Sequence, residues 1–283
     1  WMTAATKKKA IEKLQAFDIK IGYPDKWQNM DSVFVIDDNK SLIENVKAVQ
    51  EAAMKYRIAK RWGKPVDKKE WHMTPQTVNA YYDPTTNSIN FPAAILQPPF
   101  FDPTVDDAAN YGAIGAVIGH EMSHGFDDQG CQFDKDGNMK NWWTEEDKKN
   151  YDARTKVLVD WFNKQEVIPG LYVNGEKTLG ENIGDNGGLN IAFRTLENSM
   201  KAKPLSDMDG FTPAQRFFLA WGRVWASNVA PQFVAYIVNS DVHSPSISRV
   251  NAALPMIDNW YDAFNIKEGD KLFVPQQSRA HIW

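Results

Sequence analysis

Cysteine is almost missing from this chain of 283 residues: Cys131 stands alone. No disulfide can close within the chain, and a metal site built on thiolates is excluded. Any metal must be held by His, Asp or Glu. Histidine is scarce as well, with five in all. No run of about 18 apolar residues is present, so no stretch reads as a transmembrane helix, and no secretory leader is visible. Positive charge is not in excess. The formal net charge of −4 argues against nucleic acid as the main partner, because phosphate binding wants a basic face. No internal repeat or low-complexity linker divides the sequence. The opening "WMTAATKKKA" has no initiator Met, and the chain is expected to be a piece of a longer protein.

With 43% hydrophobic and 12% aromatic residues, the chain can bury a substantial core in one large domain or two small ones. In "TKKKAIEKLQAF", Ala10, Ile11, Leu14 and Phe17 share a helical face. "SLIENVKAVQEAAMKYRIAKRWGKP" opens on a capping box, Ser41 with Glu44, and carries Leu42, Val46, Val49, Ala53 and Tyr56 at helical spacing. Both are expected to be packing helices with solvated lysines. "TVNAYYDPTTNSINFPAAIL" predicts two short extended segments around a Pro-Thr-Thr-Asn turn. "DDAANYGAIGAVIGHEMSHGFDD" is apolar nearly all round before its histidines and predicts a buried central helix of about six turns. "FDKDGNMKNWW" reads as a turn between short strands; its Gly137 is out of place for a calcium-binding EF-hand loop. Further helices are expected after Thr144 (with Tyr151, Leu158, Trp161 and Phe162 inward), from the Gly-rich "TLGENIGDNGG", from Thr212 and Pro213, and from Ser244-Pro245. The fold class expected is mainly α with a small β-sheet, an α+β chain.

Chemistry concentrates in "VIGHEMSHGFDD". His120 and His124 lie four apart, on one face of a helix and one turn from each other, so both can reach one ion. Glu121 sits about 100° round from His120, where it can reach a water on that ion without being a third ligand. This is the His-Glu-x-x-His arrangement of hydrolytic zinc sites. A catalytic zinc needs a third protein ligand and an open position. Glu181 in "GENIGDNGG" is a candidate, with Asp185 one turn further along the same face. Two carboxylates at that spacing repel on a plain surface helix, but make sense if one binds a cation and the other holds a ligand histidine by its free N–H. The glycines around them, Gly180, Gly184, Gly187 and Gly188, allow close helix approach. The competing reading is an acidic helix start favoured by the helix dipole. Asp127, three residues after His124, is a second orienting carboxylate or simply a C-terminal turn residue. His243, before Ser244-Pro245, has Arg249 about one turn inside the helix; together they could face an oxyanion or carboxyl group, although a lone histidine of this kind is more often structural. His72 and His281 carry no such context.

Together these pieces resemble the neprilysin and endothelin-converting-enzyme family of zinc metallopeptidases, in ordered matches spread over almost the whole chain. "WMTAATKKKAIEKLQAFDIKIGYPD" resembles the stretch before that family's catalytic core. "VNAYYDPTTNSINFPAAILQPPFF" resembles its substrate-strand region, "VIGHEMSHGFDDQG" and "GENIGDNGG" its two zinc motifs, and "DVHSPSISRVN" with the terminal "IW" its C-terminal signature.

The resemblance implies a thermolysin-like zinc metallopeptidase catalytic domain over residues 69–283, preceded by a helical segment over 1–68. It also implies one zinc per chain, held by His120, His124 and Glu181. Glu121 would be the general base and proton shuttle, and Asp127 and Asp185 would orient the ligand histidines. His243 would stabilise the oxyanion, Asn79 and the backbone of Ala80 would hold the substrate main chain, and Arg249 would bind a substrate carbonyl. Family members are about twice as long, with an N-terminal lobe that packs over the site and is absent from this chain. Ala280 stands where mammalian members carry a cysteine, which implies a bacterial-type, disulfide-free member represented by its C-terminal catalytic portion. The function so implied is zinc-dependent endopeptidase action on small peptides, outside the cytoplasm, in a secreted or periplasmic setting. An aminopeptidase on a similar zinc core, or a zinc-bound binding module inactive without the lobe, are the alternatives.

Overall fold

A computed structural model describes all of residues 1–283. Helices hold 49% of the chain and strands 8%, the mainly helical α+β class that the periodicity predicts. Contacts divide the chain into two units, Trp1–Gly22 with Pro75–Trp283, and Tyr23–Thr74. The first 68 residues therefore do not stay together: their first helix and strand belong with the later residues.

In the larger unit, helix α1 (Ala4–Gln15) leads into strand β1 (Asp18–Gly22). The hairpin β2 (Tyr81–Asp83) and β3 (Ser88–Pro92) flanks the expected turn, where Asn87 takes the left-handed φ of 51° that asparagine tolerates better than most residues. β1 runs parallel to β3, pairing Asp18 with Ser88, and β2 runs antiparallel to it, pairing Tyr81 with Asn90. The order β1-β3-β2 makes β2 an edge strand. All five residues of β3 are buried, as a central strand requires.

The central helix is one helical run in three parts. α3 (Asp107–Asn110) passes through a π-helical turn at Tyr111–Gly115 into α4 (Ala116–His124). It lies between the sheet and α6 (Leu179–Ala202). Ile114 and Val117 join Ala80, Ile89 and Phe91 in one apolar cluster, while Ala116 meets the α6 residues Leu189 and Ala192 in another. α5 (Glu145–Phe162) starts at Thr144, whose side chain accepts from Asp147 N, and buries Tyr151, Leu158 and Phe162. A two-stranded ribbon, β4 (Glu166–Ile168) and β5 (Leu171–Tyr172), separates it from α6. α7 (Pro213–Val224) has a full capping box, Thr212 with Gln215. The chain closes with α8 (Pro231–Ser240), α9 (Ser246–Asn251) and α10 (Asp258–Phe264).

α1 corrects the sequence reading. Its buried residues are Thr6 and Lys13, while Ile11 and Leu14 are 46% and 39% exposed. Lys13 is not solvated, because three backbone carbonyls accept from its ammonium at 2.6–2.7 Å, which meets the condition for burying a charge. In the smaller unit α2 (Leu42–Arg61) has the expected capping box. The apolar face is only partly covered: Leu42 is 79% and Val46 46% exposed, Val49, Ala53 and Tyr56 are half-buried, and Asn45 is the helix's one buried residue. It is buried because its amide closes the turn at Asp37.

Candidate metal centre and active site

α4 meets the first half of α6 at backbone distance. A Cβ on Gly188 would lie 2.4 Å from the Ala116 carbonyl oxygen, and one on Gly184 would lie 2.7 Å from the His120 ring. Only glycine permits either approach, and the approach brings two sequence motifs sixty residues apart onto one pocket.

Both α4 histidines turn their Nε2 atoms into that pocket, 3.0 Å from each other. Their Nδ1 atoms point away, to carboxylates: His120 to Asp185 at 2.9 Å and His124 to Asp127 at 2.6 Å. A carboxylate at Nδ1 keeps the proton there and leaves the Nε2 lone pair facing inward. Glu181, in the first turn of α6, brings Oε2 to 3.2 Å from His120 Nε2 and 3.7 Å from His124 Nε2. The three donor atoms lie within 4.8 Å of one another. Glu181 Oε2 is buried without a hydrogen bond, although imidazole nitrogens surround it.

The orienting carboxylates are held in turn. Asp185 is 1% and Arg249 6% exposed, and the guanidinium grips the carboxylate with two bonds, Nε to Oδ2 at 2.8 Å and an Nη to Oδ1 at 2.6 Å. Burial works to raise the Asp185 carboxyl, but the Arg249 charge prevails and keeps it below the usual carboxylate range. Arg249 itself stacks 3.7 Å from the Trp225 ring centre. Asp127 uses its other oxygen to accept the N–H groups of Gln129 and Gly130. Burial disfavours charge on His124, yet the Asp127 and Glu181 carboxylates pull its imidazole well above the ordinary range. The pocket thus favours a cation.

Glu121 is 5% exposed, and burial raises its carboxyl above the usual range against the pull of His120 and His124. That is the direction a general base needs to work near neutral pH. His243 arrives from the segment before α9, with Nε2 3.2 Å from Glu181 Oε2 and its side chain 45% exposed, so it is neither buried nor turned away. Asn79 is exposed and Ala80 buried, at the entry to edge strand β2; the Asn79 side-chain oxygen accepts from Ala80 N at 2.9 Å.

Several groups at the site escape the sequence reading. Asp241 accepts from both the backbone N and Nδ1 of His243, at 2.9 and 2.7 Å. Its position two residues before the histidine, an Asx-turn spacing, was the available signal. Ser244 Oγ donates to Asn182 Oδ1 at 2.8 Å, tying the His243 segment to the helix that carries Glu181; no local pattern announces that bond.

The sequence profile described as Peptidase family M13 matches residues 79–280. The chain belongs to peptidase family M13. Among curated M13-type relatives, it is 39% identical over 283 residues to the neutral endopeptidase of Lactobacillus helveticus, covering 100% of this chain and 42% of that protein. It is 36% identical over 306 residues to human neprilysin, covering 100% and 39%. Among solved structures, the Mycobacterium tuberculosis zinc metalloprotease ZMP1, crystallised with an inhibitor, superposes with a TM-score of 0.95 at 45% identity, covering 100% of this chain and 44% of that one. PEPO from Lactobacillus rhamnosis gives a TM-score of 0.87 at 35% identity, covering 100% and 43%. The chain spans about two-fifths of the length of the M13 relatives it matches.

Proposed function

We propose that this chain carries the zinc site and the catalytic groups of a metalloendopeptidase. The observation that carries the reading is the convergence of His120 Nε2, His124 Nε2 and Glu181 Oε2 within 4.8 Å. Two imidazoles and a carboxylate form the donor set of hydrolytic zinc, with room for a fourth position. The buried, unbonded Glu181 Oε2 and the outward-committed Nδ1 atoms fit a cation of that kind, one per chain. When bound, zinc would polarise the scissile carbonyl and lower the pKa of water at the site towards about 7.

The chain's own groups then have separate tasks. Glu121 accepts the proton of the attacking water and returns it to the departing amine nitrogen. His243 donates from Nε2 to the substrate oxygen as negative charge builds there, with Asp241 holding the other ring nitrogen. Asp185 and Asp127 fix the two ligand imidazoles. Edge strand β2, entered through Asn79 and Ala80, can take an extended peptide as an added strand, which suits an endopeptidase better than an enzyme that grips a free amine. Arg249 is committed to Asp185, so we assign it first to holding the site and second to a substrate carbonyl.

Small peptides as substrates, action outside the cytoplasm, and a covering lobe from the rest of the parent protein follow from the family resemblance. No helix is long and apolar enough to cross a membrane. Metal analysis and peptide cleavage by the full-length protein test the proposal. Glu181→Ala is expected to lose zinc, whereas Glu121→Gln keeps zinc and loses turnover by about 10²–10⁴-fold. Zinc retained by Glu181→Ala, or near-normal turnover in Glu121→Gln, would refute it.

A further inference from the structure

We propose that Lys13 is a positioning residue of the metal centre: from α1 it clamps the loop through which Asp127 sets the His124 imidazole. The inference rests on the zinc reading and goes beyond it, since it assigns part of the site's geometry to a helix remote in sequence from both zinc motifs.

Lys13 is 1% exposed, and its ammonium donates to the carbonyl oxygens of Gly125, Gly130 and Phe133 at 2.6, 2.7 and 2.7 Å. An ammonium has three N–H donors, so its capacity is filled. Gly125 is the residue that ends α4, directly after His124. A cation there meets the negative end of the helix dipole and an otherwise orphaned carbonyl. Gly130 and Phe133 lie on the far side of Asp127. The three acceptors therefore bracket the orienting carboxylate.

One residue makes the link direct. Gly130 N donates to Asp127 Oδ1 at 2.6 Å, while Gly130 O accepts from Lys13. The loop has little slack, because a Cβ on Gly130 would lie 1.7 Å from the His124 carbonyl oxygen. The clamp is itself fixed in place. Asn87 Nδ2 donates to the Lys13 carbonyl at 3.1 Å, and the rings of Tyr82, Phe126 and Trp142 stand 5.6–5.9 Å from the ammonium, within cation–π range. Burial draws the ammonium's pKa down to about 8, which still leaves most of it charged at pH 7. Without the ammonium, the Gly125 carbonyl loses its donor, while those of Gly130 and Phe133 each fall back on one, Phe133 N–H and Trp142 Nε1–H; the loop relaxes towards water, and Asp127 no longer holds His124 in one orientation. Loss of such a support for a ligand histidine typically weakens metal binding about 10–100-fold.

The test uses the full chain and two readouts that do not depend on turnover: zinc affinity by competition with a chromophoric chelator, and the visible absorption spectrum of the cobalt-substituted protein. Lys13→Met keeps the methylene stem and removes the charge. Thr3→Ala is the control, because it loosens the other end of the same helix by removing its side-chain N-cap and the hydroxyl bond to Asp147. The expected result is zinc affinity about 10–100-fold weaker in Lys13→Met, with an altered cobalt spectrum. Thr3→Ala should lower Tm while keeping both readouts at wild-type values. If Lys13→Met does not fold, Lys13→Gln, which keeps two donors, is read in the same way against the control. Zinc affinity and a cobalt spectrum indistinguishable from those of Thr3→Ala would overturn the clamp while leaving the zinc site intact. A wild-type chain that binds no zinc would overturn both.

Discussion

Replacing Arg249 by methionine removes the guanidinium from a carboxylate that is 1% exposed and keeps much of the side-chain volume. Asp185 is left with a single strong partner, the His120 Nδ1–H. Breaking a buried ion pair from one side costs about 3–5 kcal/mol, most of it the penalty of a charge stranded in low dielectric. Domain stabilities are about 5–15 kcal/mol, so the loss is a large part of the whole and denaturant unfolding of the metal-free protein will register it. The double variant Arg249→Met with Asp185→Leu removes the stranded charge. What remains is the His120 N–H without an acceptor, worth about 1–3 kcal/mol. Stability should therefore recover in part, with a coupling energy in the 0.5–3 kcal/mol range of groups in contact. Zinc affinity should not recover, because Asp185→Leu takes away the acceptor of the His120 Nδ1–H; the double variant should bind zinc about 10–100-fold more weakly than wild type. A single variant that costs under about 1 kcal/mol, or a double variant whose cost is the sum of the two singles, would refute the account of Asp185 as a carboxylate kept ionised by Arg249.

Other perturbations separate the remaining roles. His243→Ala should lower kcat by an amount equivalent to about 2.7–4 kcal/mol, with zinc content unchanged, since an oxyanion donor acts in the transition state; an effect confined to KM would argue against that role. Gly188→Ala forces a methyl to 2.4 Å from the Ala116 carbonyl, and overpacking of this kind costs about 1–3 kcal/mol. Calorimetry of that variant should show the loss, and zinc titration should show weaker binding as α6 is pushed from α4. Asp147 accepts from Thr3 N, Thr3 Oγ1 and Thr144 Oγ1 at 2.6–2.7 Å. Burial opposes its ionisation, yet these bonds hold its carboxyl well below the usual range. A depressed native pKa gives stability that is present above the unfolded value of 3.8 and is lost as pH falls through the folded one. Asp147→Asn should therefore destabilise at pH 7, and its difference from wild type should shrink below about pH 4; a difference constant down to about pH 2 would contradict the assignment.

Local rules were enough to read part of this in the sequence. The spacing of His120 and His124, and of Glu181 and Asp185, places each pair on one helix face. The capping box at Ser41 and the helix start at Thr212 and Pro213 need only a few residues of context. What resisted reading was set at long range. The partners of Lys13 lie 112 to 120 residues away, so a run of lysines looked uniformly solvated when one of them was fully enclosed. The apolar face of α2 looked like core because periodicity reports amphipathicity and not whether a partner is present. Arg249 looked like a free cation near a helix start; its commitment to Asp185 depends on two helices meeting 64 residues apart.

The glycine contact between α4 and α6 makes the span between the histidine pair and Glu181 a main-chain dimension. Side chains hop between rotamers in picoseconds to nanoseconds, whereas packed helices shift collectively on microsecond to millisecond scales. With Gly188 seated on the Ala116 carbonyl, the separation of the two donor groups is inherited from touching peptide planes. On the proposed zinc reading, an entering ion would find a socket whose width was decided when the protein folded, and little of its binding free energy would go into drawing two helices together.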